Sequence, residues 1–221
     1  MSTRRIEVIS FDAEGTLVTP RFSKLIWEVE IPSLYARKHG LDVEQAHKEV
    51  LRQYQEVGEH RLEWYDIGYW FRRFGLEGYQ QLLDRHRAEV SYYPEVEGVL
   101  KALGQSHRLI IISNSAREFL DILMGGIAGY FSGIFSTISD FNQLKGPDLY
   151  LGICRKLQVE PQHMVHVGDN REFDYAMPRQ AGVCAFHLDR DGEGDERQRL
   201  RDLREFQARV LALSGCGPGR R

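Results

Sequence analysis

The chain has 221 residues, 42% of them hydrophobic and 28% charged, with 11 Phe, 10 Tyr and 3 Trp. This profile excludes disordered, collagen-like and coiled-coil classes and allows one domain with a sizeable insertion. The formal net charge of −3 leaves no electrostatic footprint for nucleic acid or an anionic membrane surface, so neither is an expected partner.

Three widely spaced cysteines, Cys154, Cys184 and Cys216, form no Cys-x-x-Cys pair and fit a reducing, cytoplasmic setting. No stretch approaches the roughly 18 apolar residues of a membrane span, and the N-terminal apolar run is too brief for a secretory leader. Taken in chain order, the first apolar run, Ile6 to Phe11, predicts a buried strand. From about Phe22 to Tyr92 only helical spacing follows. Ser23 to His39 is helical in pattern, with Pro32 expected to kink or restart it. Ala46, Val50, Leu51, Tyr54 and Val57 share one face of the next helix, which Asp42 and Gln45 open as a capping-box variant and Gly58 stops. Trp64, Ile67, Trp70, Phe71 and Phe74 make a third face ending at Gly75, and Tyr79, Leu82, Leu83, His86 and Val90 a fourth. About four helices are thus inserted after the first strand.

Beyond Tyr93, strand and helix alternate. Leu109 to Ile112, Ile134 to Ile138, Met164 to Val167 and Val183 to Phe186 are strand-length runs. Between them lie the helical faces Val96, Val99, Leu100 and Leu103, then Phe119, Leu120 and Leu123, then Tyr150, Ile153, Cys154 and Leu157. Such alternation implies right-handed crossovers and a parallel sheet of five strands covered on both faces, a Rossmann-like three-layer α/β core. Residues 1–21 and 93–221 are assigned to this core and 22–92 to a helical cap. After a polar stretch from Leu188 to Glu196, residues Leu200, Leu203, Phe206, Val210 and Leu213 predict a helix on the sheet edge, and Gly215 to Arg221 are expected to fray.

Parallel sheets gather ligands outside the carboxyl ends of their strands. The polar residues directly after each apolar run are therefore the candidates: Asp12-Ala13-Glu14-Gly15-Thr16, Ser113-Asn114, Lys145 in the loop before the helix opened by Pro147, and Gly168-Asp169 with Asp174 beyond. Taken singly, each has an ordinary reading as a cap, a turn residue or a solvated lysine. Asp174 alone reads as a cap for the helix at Pro178. The ordered set is what is specific.

That set resembles the haloacid dehalogenase superfamily, a large group of mostly phosphatases. In that family the motifs are Asp-x-Asp-Gly-Thr, a Ser or Thr ending a strand, a Lys, and Gly-Asp followed by another Asp. The resemblance covers residues 5 to 20 and 93 to 188, and the helical insertion stands where the family places a cap. It implies a nucleophile at Asp12, an acid–base group at Glu14, phosphate contacts from Ser113, Asn114 and Lys145, and Mg²⁺ as cofactor on Asp12, Asp169 and the backbone carbonyl of Glu14. Asp174 stands behind them, orienting Lys145 or metal-bound water. Hard oxygen ligands suit Mg²⁺, and an attacking carboxylate needs positive charge beside the phosphoryl group.

Two departures bear on activity. Glu14 replaces the usual Asp, moving the carboxylate outward by ~1.5 Å, a misplacement that can cost about 10²-fold in rate. Gly146 separates Lys145 from Pro147, where the family has Lys-Pro adjacent. His166 and His187 read as packing residues, while His60, Arg61, Trp64, Tyr65, Arg72 and Arg73 are candidates for substrate contact, the Trp and Tyr reading more often as bundle core. Three functions follow: a Mg²⁺-dependent phosphatase of a small phosphorylated metabolite, a 2-haloacid dehalogenase, and a non-catalytic binding protein whose chemistry Glu14 has spoiled. The dehalogenases of the family carry Tyr in place of Glu14 and lack the acid at Asp169. Substrate identity and oligomeric state are not legible.

Overall fold

The computed structural model describes residues 5–190, 192 and 199–215. Among these residues six strands, β1 (Val8–Phe11), β2 (Arg108–Ser113), β3 (Gly133–Ser136), β4 (Met164–Gly168), β5 (Cys184–Leu188) and β6 (Arg199–Leu200), form one parallel sheet in the order β3-β2-β1-β4-β5-β6. The count exceeds the expected five because Arg199 and Leu200, the second of them assigned from sequence to the last helix, pair with His187 and Leu188. The chain steps from β1 outward to β3, then returns to the other side of β1 with β4. That reversal is a topological switch point, where parallel sheets open a crevice.

Strand alternation decides which helices cover which face. Ile9, Phe11, Val165 and Val167 point into one apolar cluster with Val96–Leu103 and Leu203–Gly215, whereas Val8, Ile110, Ile112 and Met164 point into a second with Pro147–Leu157. Both faces are thereby buried, which is why the strands read as continuous hydrophobic runs. The third strand ends at Ser136, not Ile138: the Ser136 side chain accepts from the Ser139 N–H and caps Thr137–Phe141. Local capping here overrides the β-branched run.

Between β1 and the helix Val96–Leu103 lie Arg21–Lys24, which continues through Leu25–Glu30 and Ile31–His39, then Val43–Val57, Ile67–Arg73 and Tyr79–Arg85, with short 3-10 turns at Leu62–Tyr65 and Arg87–Glu89. At Pro32 the chain passes from one helical form into another, as the expected restart has it. The preceding turn Leu25–Glu30 is wide, with i to i+5 bonding, and Pro32 falls in the first turn of the segment that follows, where its missing N–H costs little. Asp42 accepts from the Gln45 N–H at 2.9 Å, and Gly58 stops the second helix at φ 75°. The two connectors pair with each other: Thr19 N–H donates to Ser91 O at 2.8 Å and Tyr93 N–H to Leu17 O at 3.1 Å. Among the described residues no helix is long and apolar enough to cross a membrane. Cys216 and residues 216–221 of the tail lie outside the described residues, as do 191 and 193–198 of the polar stretch.

Candidate active site

Three adjacent strand ends supply the site. Asp12 follows β1, Ser113 ends β2, and Asp169 follows β4, in a register that sets Phe11 beside both Ile111 and Val167. Lys145 comes from the loop before Pro147–Leu157 and crosses to the centre. Its Nζ lies 2.5 Å from Asp12 Oδ1 and 2.5 Å from Asp174 Oδ1, with its side chain 3% exposed. Gly146 therefore does not keep the ammonium from Asp12. Asn114 sets the lysine's backbone, because its Oδ1 accepts from the Lys145 N–H at 3.0 Å and from Thr137 Oγ1 at 2.7 Å.

Asp174 caps no helix at Pro178. Its Oδ1 takes Lys145 and, at 3.1 Å, His166 Nε2, while its Oδ2 accepts from the Asn170 N–H at 3.0 Å. His166 Nδ1 lies 2.7 Å from Ser10 Oγ, so the imidazole, buried and packed against Tyr150, also joins a polar network. With Nε2–H donating to Asp174 and Nδ1 accepting from Ser10, one neutral tautomer satisfies both contacts. Burial holds His166 below the ordinary histidine range, although the bond to Asp174 pulls the other way. Burial also works against ionised Asp174, but Lys145 and His166 outweigh it and keep this carboxyl well below the usual range. His187 is likewise more than packing, its Nε2 lying 3.0 Å from the Asp169 carbonyl.

Charge is unevenly balanced here. Carboxylate oxygens of Asp12, Asp169 and Asp174 lie within 4.8 Å of one another, facing a single ammonium. Burial pushes Asp12 up to about 6 against the pull of Lys145, and loss of water with the charges of Asp12 and Asp174 pushes Asp169 up to about 8. Asp174 has its lone pairs engaged, which leaves Asp12 and Asp169 as available hard oxygens. Close approach requires glycine: at Gly15, with φ +72°, a Cβ would overlap the Asp169 carboxylate, and at Gly168 it would overlap Asp174. Crowded oxygen donors short of positive charge fit a small divalent cation.

Glu14 turns toward the inserted helices, where buried Ser23 donates to its Oε2. Burial pushes its carboxyl up to about 7, with the Ser23 bond opposing and the Asp12 charge adding to the rise. Arg61 and Arg72, candidates for substrate contact, pair instead with other carboxylates, Arg61 with Glu63 at 2.7 Å and Arg72 with Asp66 at 3.5 Å. Arg190 was not singled out from sequence at all. It donates to the carbonyls of Gly15 and Thr16 at 3.3 and 2.8 Å, pairs with Glu95 at 2.8 Å, and stands 3.5 Å over the Tyr93 ring. One side chain thus ties the Asp12 loop to the connector at 93. An isolated arginine in a polar stretch carries no local signal of that role.

A cavity of about 550 Å³ opens above these groups. Its walls join Asp12, Glu14, Ser113, Asn114, Lys145 and Asp169 to Trp27, Leu51, Tyr54, Trp64 and Tyr65 of the inserted helices. Trp64 and Tyr65 thus face the site and are not enclosed in the bundle, whereas His60, Arg61, Arg72 and Arg73 are absent from its walls. The Tyr65 hydroxyl takes a hydrogen bond from Asn114, and burial pushes it up to about 12.

The chain is 29% identical over 72 residues to the GMP/IMP nucleotidase YrfG of Escherichia coli (strain K12), a match spanning only about a third of each, 33% of this chain and 32% of that protein. It is 23% identical over 201 residues to the glyceraldehyde 3-phosphate phosphatase of Methanopyrus kandleri, covering 84% of both. In fold it is similar to the crystal structure of a HAD phosphatase from Thermococcus onnurineus, with a TM-score of 0.83, 23% identity, and coverage of 93% of this chain and 98% of that one. The family model for haloacid dehalogenase-like hydrolase matches residues 6–182. Since that match runs from the first strand through the helical turn Arg171–Ala176 that bears Asp174, the chain belongs to the haloacid dehalogenase-like hydrolases.

Proposed function

We propose that this hydrolase is a Mg²⁺-dependent phosphatase that cleaves a small phosphorylated metabolite through an aspartyl-phosphate on Asp12, in a reducing cytoplasm. The observation that carries the reading is the position of Asp12 at the floor of the cavity, with Lys145 on one oxygen and Asp169 within ligand distance. The Asp12 carboxylate attacks phosphorus, the P–O bond to the alcohol breaks, and Glu14 gives the departing oxygen a proton. Glu14 then takes a proton from water, whose oxygen attacks phosphorus and frees phosphate and Asp12. Ser113, the Asn114 amide and Lys145 hold the phosphoryl oxygens. Mg²⁺, held by Asp12, Asp169 and the Glu14 carbonyl, supplies positive charge to the phosphoryl group when bound.

Residues 22–92 act as a cap over this mouth, moving on the paired connectors at 17–19 and 91–93. Dehalogenation fits less well, since Asp169 supplies a metal acid that the resembling dehalogenases lack. Phosphate release from a panel of phosphorylated metabolites, with Mg²⁺ and with chelator, tests the reading. Metal-dependent release from at least one supports it, and equal rates in both conditions overturn it.

Two variants separate the roles. Asp169→Ala is expected to weaken Mg²⁺ binding at least about tenfold by calorimetry, and unchanged affinity removes Asp169 from the metal site. Glu14→Gln keeps the Ser23 contact but has no proton to give or take, so turnover is expected to fall about 10²-fold or more while Asp12 still becomes phosphorylated, seen as an 80 Da adduct expected by mass spectrometry, that is, about one phosphoryl group. Should Glu14→Gln release phosphate at the wild-type rate, Glu14 is not the acid–base group.

A further inference from the structure

The cavity is polar at its floor and differs sharply at its far wall. Trp27 stands 5.9 Å from Tyr54 at 82° and 5.8 Å from Phe119 at 32°, and Tyr54 stands 6.3 Å from Trp64. These rings and Leu51 line the space that a leaving alcohol must occupy once its phosphate reaches Asp12. The charged residues on that side are Glu28 and Glu59, both exposed at the mouth. Among the described residues no arginine or histidine lines the cavity, and the one lysine that does, Lys145, is already held between Asp12 and Asp174.

From this distribution we infer that the substrate is the phosphomonoester of an alcohol bearing a flat ring, neutral or cationic, with no second anionic group. The inference rests on the phosphatase reading and narrows it. A flat ring gains offset or edge contacts with Trp27, Tyr54 and Trp64 and buries apolar area against them. A cationic ring gains further from the aromatic faces and from Glu28 and Glu59. An alcohol with its own carboxylate or second phosphate meets the opposite conditions: it loses water against apolar walls, finds no free cation, and faces two carboxylates at the mouth. The volume, about 550 Å³, falls within the ordinary range for sites that enclose a small molecule.

The test uses esters matched in leaving-group chemistry: benzyl phosphate, 4-(aminomethyl)benzyl phosphate, 4-carboxybenzyl phosphate and cyclohexylmethyl phosphate, assayed for phosphate release with Mg²⁺. Benzyl and aminomethylbenzyl esters are expected to exceed the carboxybenzyl ester at least about tenfold in kcat/KM, and the gap should narrow at high ionic strength. Benzyl should also exceed cyclohexylmethyl. The double variant Glu28→Gln with Glu59→Gln should shrink the first gap, and Trp27→Leu the second. Binding of benzylphosphonate and 4-carboxybenzylphosphonate, followed by tryptophan fluorescence, should give the same order without turnover. Equal handling of the carboxylated and plain compounds overturns the inference. So does turnover of phosphoglycolate but of no benzyl ester, which leaves the phosphatase reading standing. If no ester in either panel releases phosphate, the phosphatase reading fails and this inference fails with it.

Discussion

Asp12→Asn is expected to abolish phosphate release, lowering kcat by at least about 10³-fold against wild type, while leaving the fold in place. The amide is nearly isosteric with the carboxylate, so the space between β1 and β4 remains filled. Its oxygen is a poor nucleophile, and the attack on phosphorus has no alternative donor: Asp174 is tied to Lys145, His166 and Asn170, and Glu14 is turned to Ser23. The same change neutralises one of three crowded carboxylates while Asp174 still pairs with Lys145, so thermal stability should hold or rise. Rates from a phosphate panel and a melting curve check both halves. An Asp12→Asn protein that turns over normally would remove Asp12 as nucleophile, whereas loss of activity together with gross unfolding would mean that Asp12 holds the strand ends together.

Lys145→Met should have a comparably large effect on stability as well as on rate. The lysine side chain is 3% exposed, and its partners Asp12 and Asp174 are 11% and 2% exposed. Removing one partner of a buried pair leaves uncompensated charge, which typically costs about 3–5 kcal/mol. For a protein of this size that amounts to a fall in Tm of roughly 6–20 °C. Adding Asp174→Asn to Lys145→Met should recover part of the stability, since the stranded carboxylate is then neutral, but none of the turnover. A melt of the wild type, both single variants and the double variant gives the coupling between the two side chains. Additive losses would show that Lys145 and Asp174 do not act as a pair. Recovery of turnover in the double variant would show that the lysine's role is structural alone.

The division between what was readable from sequence and what was not follows the range of the interactions involved. Chain-order motifs were readable because a parallel sheet presents the residues after its strands at one end. Asp12, Ser113 and Asp169 therefore meet by topology, and Lys145 follows from the loop before a proline-opened helix. The helices of the insertion were readable from periodicity, and the stop at Gly58 from its positive φ. Pro32 marks the start of Ile31–His39, but the wide turn Leu25–Glu30 that keeps the helix continuous ahead of it was not read from the sequence.

Side-chain destinations were a different matter. Glu14 meets Ser23 and neither Arg61 nor Arg72; His166 joins Ser10 to Asp174; Trp64 and Tyr65 turn into the cavity; and Arg190 reaches back 175 residues in sequence to Gly15. Each depends on the rotation of a helix about its axis or on a contact between segments far apart in the chain. Composition and periodicity are local averages that carry no such information. By itself, then, the sequence determined the parallel α/β core, the inserted helices and the order of the polar residues at the strand ends, because these follow from near-neighbour spacing and strand direction. The tertiary structure alone decided which side chains balance the charge of that mouth and which rings line the space above it, because burial, hydrogen bonding and electrostatic pairing exist only once distant segments are packed together.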